Sequence, residues 1–191
     1  MERFIIRRNP DGEMVPELIE QNYEEEEEVE DTDEIRVYTD GACTNNGREY
    51  ARAGYGIWFG KNDVRNVSES YNGRQTNNIA ELLAVIRALT ILNDEIQSGK
   101  KVIVYSDSKY AIRCCTTYGE KCFKKGWKNP NNKNKPIPNL ELVQTGYMYC
   151  REHSNVKFKH IEAHTGKQDE DSIGNENADR LANLAIGIEV S

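Results

Sequence analysis

The sequence has no long apolar run, little histidine, and cysteines in no metal-binding pattern, and each shortage removes a class of protein. No stretch of its 191 residues approaches the roughly 18 apolar residues of a membrane span. The opening MERFIIRRNPDGE has too short an apolar run for a secretory signal and too many acids nearby for a mitochondrial presequence. With no signal or transit peptide evident, an intracellular, reducing setting (cytoplasm or nucleus) is expected, with no membrane partner. Five cysteines (Cys43, Cys114, Cys115, Cys122, Cys150) cannot all pair, and none forms a CxxC. The vicinal Cys114–Cys115 pair is a poor scaffold disulfide, so reduced thiols are expected and a zinc site is not. Three histidines are too few and too scattered for a His-rich metal cluster.

Charge is present in quantity, and unevenly. Residues 1–34 hold three basic residues against fourteen acids, a balance of −11, so the other 157 residues carry +4 of the overall −7. The run YEEEEEVEDTDE (23–34) repels itself and buries nothing, which reads as disorder. MVPELIEQ before it reads as a short helix or a docking peptide. The expected organisation is an acidic, disordered extension over 1–34, one folded domain over 35–187 and a short tail over 188–191. The extension is expected to contact a protein partner or to compete with nucleic acid for the mildly basic body, and the chain to act as a monomer.

From residue 35 the pattern becomes compact. IRVYT (35–39), AGYGIWF (53–59) and NVSESY (66–71) alternate or run apolar between Gly, Asn and Lys, which predicts a β-meander. In NNIAELLAVIRALTIL (77–92) the period changes, and Ile79, Leu82, Leu83, Ile86, Leu89 and Leu92 mark one helical face. KVIVYS (101–106) is a strand, followed by a helix over 109–117, a Lys-rich segment and a helix near 139–151. NVKFKHI (155–161) is a strand, and ENADRLANLAI (176–186) a closing helix. This order predicts an α/β fold, a mixed sheet covered by helices.

YTDGACTNNG raises a sharper question: why would a strand end on Asp40 and break at once into Gly41? Alone, such an acid caps a turn. A second strand ends on Asp107, and the long helix between the two makes them parallel, so both acids stand where α/β sheets gather ligands. Glu81 lies early in the crossover helix, after the candidate caps Asn77 and Asn78, with apolar neighbours that place it at the edge of the buried face. Asp179 interrupts the edge of a small-residue face formed with Ala178, Leu181, Ala182 and Ala185. A carboxylate in such a position is costly unless paired or metal-bound. Four converging acids without matching Lys or Arg repel one another, and a divalent metal resolves this. All-oxygen ligands point to Mg²⁺, with Mn²⁺ as a substitute. Two ions about 3.5–4 Å apart suit phosphodiester hydrolysis.

The segments YTDGACTNNG, GRQTNNIAEL, VYSDSKYAI and AHTGKQDEDSIGNENADRLA resemble, in order, the successive motifs of the type 1 ribonuclease H family, over about residues 35 to 187. The resemblance implies the ribonuclease H-like fold, a five-stranded mixed sheet of antiparallel meander plus parallel strands flanked by helices. It implies that Asp40, Glu81, Asp107 and Asp179 hold two Mg²⁺ ions, and that His164 assists water activation or product departure. It also implies an endonuclease that cuts the RNA strand of an RNA–DNA hybrid, leaving 5′-phosphate and 3′-hydroxyl ends. His164 sits in a loop, and an imidazole there has the pKa range for proton transfer near neutrality. His153 and His160 lack that setting, and His160, within a strand, reads as structural.

For substrate, Cys43 (by its backbone), Asn45, Asn46, Asn77 and Asn78 are placed to read 2′-hydroxyls and the minor groove. Arg74, Thr76 and Asn139 resemble the family's pocket for a DNA phosphate. Tyr110 and Tyr118 fall where the family places aromatics along the DNA strand, Tyr118 replacing a more usual Trp. The lysines at 121, 124, 125, 128, 133 and 135 surround Trp127, a packing anchor, and resemble the family's basic protrusion, with Cys122 where an aromatic is common. Gln168 to Ser172 look inserted, and Asp169, Glu170 and Asp171 are expected to be solvated. A non-cleaving hybrid binder, another nuclease on this sheet and a Ca²⁺-binding protein are the alternatives. The full set of acids with His164 disfavours the first, and GRQTNN with the basic segment disfavours the second.

Overall fold

Two units divide the chain near Thr32, and the computed structural model describes residues 4–8, 14–18, 34–163 and 168–188. In the first unit, β1 (Phe4–Arg8) and β2 (Met14–Leu18) pair antiparallel, with Phe4 opposite Leu18 and Arg8 opposite Met14. Part of the extension expected to be disordered is therefore paired strand, and the helix considered for this stretch does not form over 14–18. Pro16 offers no N–H to a helical ladder, whereas a strand in a two-stranded ribbon tolerates it with its nitrogen turned outward. The acidic run over 23–33 lies outside the described residues.

The second unit opens with a meander of β3 (Glu34–Thr44), β4 (Arg52–Trp58) and β5 (Val67–Tyr71). Then come α1 (Asn77–Ile91), α2 (Asn93–Gln97), β6 (Lys101–Ser106), α3 (Lys109–Cys115), α4 (Thr117–Lys124), α5 (Leu140–Glu152), β7 (Val156–His160) and α6 (Glu170–Ala185). The five strands form one mixed sheet in the order β5-β4-β3-β6-β7, with β3, β6 and β7 parallel and the meander antiparallel, as the sequence predicts.

Strand alternation sorts the two faces. Val37, Val102 and Val104 are fully buried in a large core with Leu82, Val85 and Leu89 of α1 and Val143 of α5. On the other face Tyr38 stacks on Tyr105 at 4.7 Å and packs with Ala178 of α6, and Ala42 packs with Ala182 and Ile186. Tyr38, Asp40 and Ala42 therefore share the face beneath α6.

β3 does not end at Asp40. Its parallel pairing with β6 stops at Thr39 opposite Ser106, but its antiparallel pairing with β4 continues through Asp40 opposite Gly56 to Thr44 opposite Arg52. Two short helices escape the sequence reading. α2 carries only Ile96 to the core, and α4 hides Cys122 among the lysines, with Lys124 paired to Glu120 at 2.7 Å. α6 begins six residues earlier than its apolar pattern, because Asp169 caps it by accepting from Ser172 N at 2.9 Å and acids fill its first turn. Among the described residues no helix is long and apolar enough to cross a membrane.

Leu89 is 2 % exposed in the α1 face of the core. Leu89→Ala is expected to cost about 2–5 kcal/mol of stability through lost burial and the cavity left behind. The denaturant midpoint measures it, and a loss under about 0.5 kcal/mol, the range of ordinary surface substitutions, would contradict this packing.

Candidate active site

Gly41 answers the question posed by the strand tip. A Cβ at this residue would lie 2.3 Å from Glu81 N and 2.6 Å from the Ala80 carbonyl carbon, so only glycine lets the second turn of α1 lie against β3 beside Asp40. Gly56, opposite Asp40 on β4, does the same for α6: a Cβ there would stand 2.1 Å from Ala178 O, one residue before Asp179. Two helices thus approach the same point of β3 from opposite faces of the sheet.

The result is a cluster of acids. Asp40 (5 % exposed), Glu81 (6 %) and the half-buried Asp107, one residue beyond β6, each offer a carboxylate oxygen, all within 4.8 Å of one another. Asp179 joins from α6, within side-chain hydrogen-bonding reach of Asp40. Its carboxylate is held by Asn183 Nδ2, which donates to Oδ1 at 2.8 Å, and Asn183 follows it by one helical turn. Burial pushes the Asp40 carboxyl well above its ordinary range, and Asp107 and Asp179 push it further. Burial likewise raises the Glu81 carboxyl, reinforced by Asp40 and Asp107. Neither Asp40 nor Glu81 has a Lys or Arg ion-pair partner among the described residues.

One oxygen tests whether a cation fits. Glu81 Oε1 accepts from Asn77 Nδ2 at 3.3 Å, but Oε2 is buried with no donor. An orphaned carboxylate oxygen costs free energy that an apolar wall does not return. An all-oxygen donor set with one oxygen unpartnered fits a hard divalent cation such as Mg²⁺ or Mn²⁺.

The other sequence-predicted residues fall into groups. Asn46 Oδ1 accepts from Asn77 N at 3.3 Å, which ties the loop after β3 to the start of α1 and, through Asn77, to Glu81. Asn45 takes a left-handed turn conformation at φ 49° and is exposed, and Cys43 is half-buried. The cap of α1 is Thr76, whose side chain accepts from Ile79 N at 3.3 Å, rather than Asn77 or the exposed Asn78, because Thr76 alone has extended backbone there. Arg74 is exposed. Asn139 Nδ2 donates to the Tyr110 hydroxyl at 2.8 Å, joining the start of α5 to α3. Tyr110 and Tyr118 are both half-buried against the main core. Trp127 packs edge-on to Phe123 and Tyr147, the anchor its sequence setting predicts, and the surrounding lysines are exposed. His164 lies outside the described residues.

The acids of the apparent insertion are not simply solvated. Glu170 pairs with Arg36 at 2.8 Å, and Asp171 pairs with Lys159 at 2.6 Å and accepts from the Tyr38 hydroxyl at 3.3 Å. They hold the first turn of α6 to β3 and β7. His160 is more than a strand residue, since its Nε2 donates to the Asp107 carbonyl at 3.1 Å and braces the backbone that presents that acid. Sequence reasoning also missed Asn183 and Asn175. Asn175 is 3 % exposed with a buried, unpartnered Oδ1, one turn before Asp179. Spacing of four residues on either side of a suspected ligand was the available signal for both.

A family model described as RNase H matches residues 32–186. The chain belongs to the ribonuclease H family. Its matched region is a type 1 ribonuclease H domain. Ribonuclease H1 of Rattus norvegicus is 34% identical over 152 residues, covering 78% of this chain and 48% of the relative, so this chain spans about half the length of that protein. Ribonuclease H of Ruthia magnifica subsp. Calyptogena magnifica is 32% identical over 152 residues, covering 80% of this ribonuclease H chain and 94% of the relative. The crystal structure of LC11-RNase H1 in complex with RNA/DNA hybrid superposes with a TM-score of 0.52 at 27% identity, covering 80% of this chain and 96% of that one.

Because Asp40 and Glu81 keep protons when folded that the unfolded chain releases above ordinary values of 3.8 and 4.5, the folded state binds more protons over the window above those values. The metal-free domain is therefore expected to lose stability as pH rises from about 4 towards neutrality, with a flatter profile in Glu81→Gln. Thermal midpoints in EDTA across that range check this, and a Glu81→Gln profile as steep as the parent's would contradict the cluster.

Proposed function

We propose that this ribonuclease H domain is a metal-dependent endonuclease that hydrolyses the RNA strand of RNA–DNA hybrids, giving 5′-phosphate and 3′-hydroxyl ends. The observation that carries it is the meeting of Asp40, Glu81 and Asp107 within 4.8 Å around an unpartnered, buried Glu81 oxygen, at the end of the β3–β6 parallel pairing. Asp40, Glu81, Asp107 and Asp179 are the residues that hold metal. A pair of Mg²⁺ ions held there, for which Mn²⁺ would substitute, would supply a water of lowered pKa and neutralise charge on the phosphate oxygens.

The chain's own groups do the rest. Asn183 fixes the Asp179 carboxylate, and His160 fixes the backbone at Asp107, so the acids meet the phosphate already oriented. His164, which follows β7 and precedes α6 in the sequence, moves a proton to or from the departing group. The Cys43 backbone, Asn45 and Asn46, with Asn77 and Asn78 at the start of α1, read the RNA 2′-hydroxyls from the minor groove. The Asn46–Asn77 hydrogen bond fixes the spacing between those two segments.

Arg74, Thr76 and Asn139 receive a phosphate of the DNA strand. Thr76 Oγ1 accepts the cap bond and keeps its hydroxyl proton to donate. Asn139 uses one N–H on Tyr110 and retains the other. Tyr110 and Tyr118 border the DNA strand with the partly exposed edges of rings that are otherwise packed in the core. The exposed lysines of the 121–135 segment neutralise further phosphates. The acidic extension competes for that basic surface or engages a protein partner.

Asp40→Asn is expected to abolish cleavage of labelled hybrid in Mg²⁺ while leaving hybrid affinity within a few-fold. EDTA should stop the parent enzyme, and duplex DNA should survive. Undiminished cleavage by Asp40→Asn would remove the metal assignment. Arg74→Ala is expected to weaken hybrid binding and to reduce the slope of log affinity against log salt by about 1. An unchanged slope, measured by fluorescence anisotropy from low to moderate salt, would exclude Arg74 from a phosphate contact.

A further inference from the structure

Away from the acids, two cysteines from distant parts of the chain meet between α3 and α5. Cys115 closes α3 and is 2 % exposed, and it lines the same cavity as Cys150 of α5. The helices touch closely here, since a Cβ at Gly146, one turn before Cys150, would stand 2.7 Å from Cys115 Sγ. Gly146 and Cys150, four residues apart, share one face of α5, so that face is turned to Cys115. The neighbouring Cys114 does not line the cavity that Cys115 and Cys150 share, so Cys150 is the partner that packing gives Cys115. All five cysteines are free thiols.

Both cysteines line a cavity of about 460 Å³, whose wall also includes Glu120, Arg151 and Lys157. Cys150 is half-buried at its wall and Cys115 lies deeper. The two cations against one acid favour a negatively charged visitor.

We propose that Cys115 and Cys150 form a dithiol site that takes up low-molecular-weight anionic disulfides through this cavity and closes into an intramolecular disulfide. Cys150, the accessible sulfur, attacks one sulfur of the incoming disulfide as its thiolate. The S–S bond breaks, one small thiolate leaves and takes up a proton, and a mixed disulfide remains on Cys150. Cys115 then loses its proton and attacks Cys150 Sγ, which expels the second small thiol. The protein is oxidised by two electrons and the small disulfide is reduced to two thiols. Cys150 and burial both raise the Cys115 thiol, which keeps it protonated until its neighbour is activated. The bond ties α3 to α5 and encloses α4 and the lysine-rich segment in a covalent loop, which stabilises the folded chain.

Glutathione disulfide is the probe, applied to the reduced full chain under native conditions, followed by denaturation, alkylation of remaining thiols, intact mass and peptide mapping. The wild type is expected to lose two of its five alkylatable thiols, yield a Cys115–Cys150 cross-linked peptide, gain several degrees in thermal midpoint and revert with dithiothreitol. Cys115→Ser should stop at a stable glutathione adduct on Cys150, and Cys150→Ser should keep all its remaining thiols over the same time. Five intact thiols in the wild type, glutathione persisting on wild-type Cys150, or a different pairing such as Cys114–Cys122 would overturn the proposal. If Cys115→Ser fails to fold, the wild-type map and Cys150→Ser decide. None of these readouts depends on nuclease activity.

Discussion

The constraint on which the rest of the domain depends is the burial of two adjacent carboxyls, Asp40 and Glu81, with no ammonium or guanidinium beside them among the described residues. Water would solvate either alone at little cost. Together, at 5 % and 6 % exposure, each penalises ionisation of the other, and the protein resolves this by holding protons or by holding cations. Much of the local architecture serves that juxtaposition. Gly41 admits α1, Gly56 admits α6, and the Asn77 side chain at the start of α1 donates to Glu81 Oε1. Glu81 stays expensive even so, because one of its oxygens has no donor.

β3 is where this becomes possible. As the central strand it is paired on both sides up to Thr39, but from Asp40 onward it has only β4 as a partner. At that transition the β6 side opens, and Asp107 emerges beside Asp40 as β6 ends. A strand that stopped at Asp40 would present the acid on a flexible tip. Continuing to Thr44 keeps Asp40 in a rigid ladder while the space next to it is vacated. Preorganisation comes from sheet geometry, with the Thr39 hydroxyl donating to Tyr105 O at 3.2 Å to lock the last register of the parallel pair.

Much of this was legible in the sequence, for identifiable reasons. The five strands and α1 carry strong period-two or period-3.6 patterns, and Asp40 and Asp107 announce themselves by following apolar runs. Elements whose signal is electrostatic escaped. α4 is disguised by its lysines, and α2 is five residues with one buried side chain. The start of α6 reads as an acidic insertion because a capping aspartate and first-turn acids resemble a solvated loop when the cationic partners, Arg36 and Lys159, lie more than a hundred and about a dozen residues away respectively. Thr76 lost the cap role to Asn77 and Asn78 in the sequence reading because all three have capping chemistry, and only backbone conformation separates them.

The same long-range pairing accounts for the acids that open α6. Glu170 and Asp171 lie two turns before Asp179 on α6, and unpaired they would repel an approaching polyanion. Arg36 and Lys159 take up that charge locally, Tyr38 donates a further hydrogen bond to Asp171, and Lys159 also lies over the Tyr105 ring at 5.1 Å. Exposed pairs of this kind contribute little stability singly. Their consequence is one of sign: they take up the charge of Glu170 and Asp171 at the start of the helix that carries Asp179.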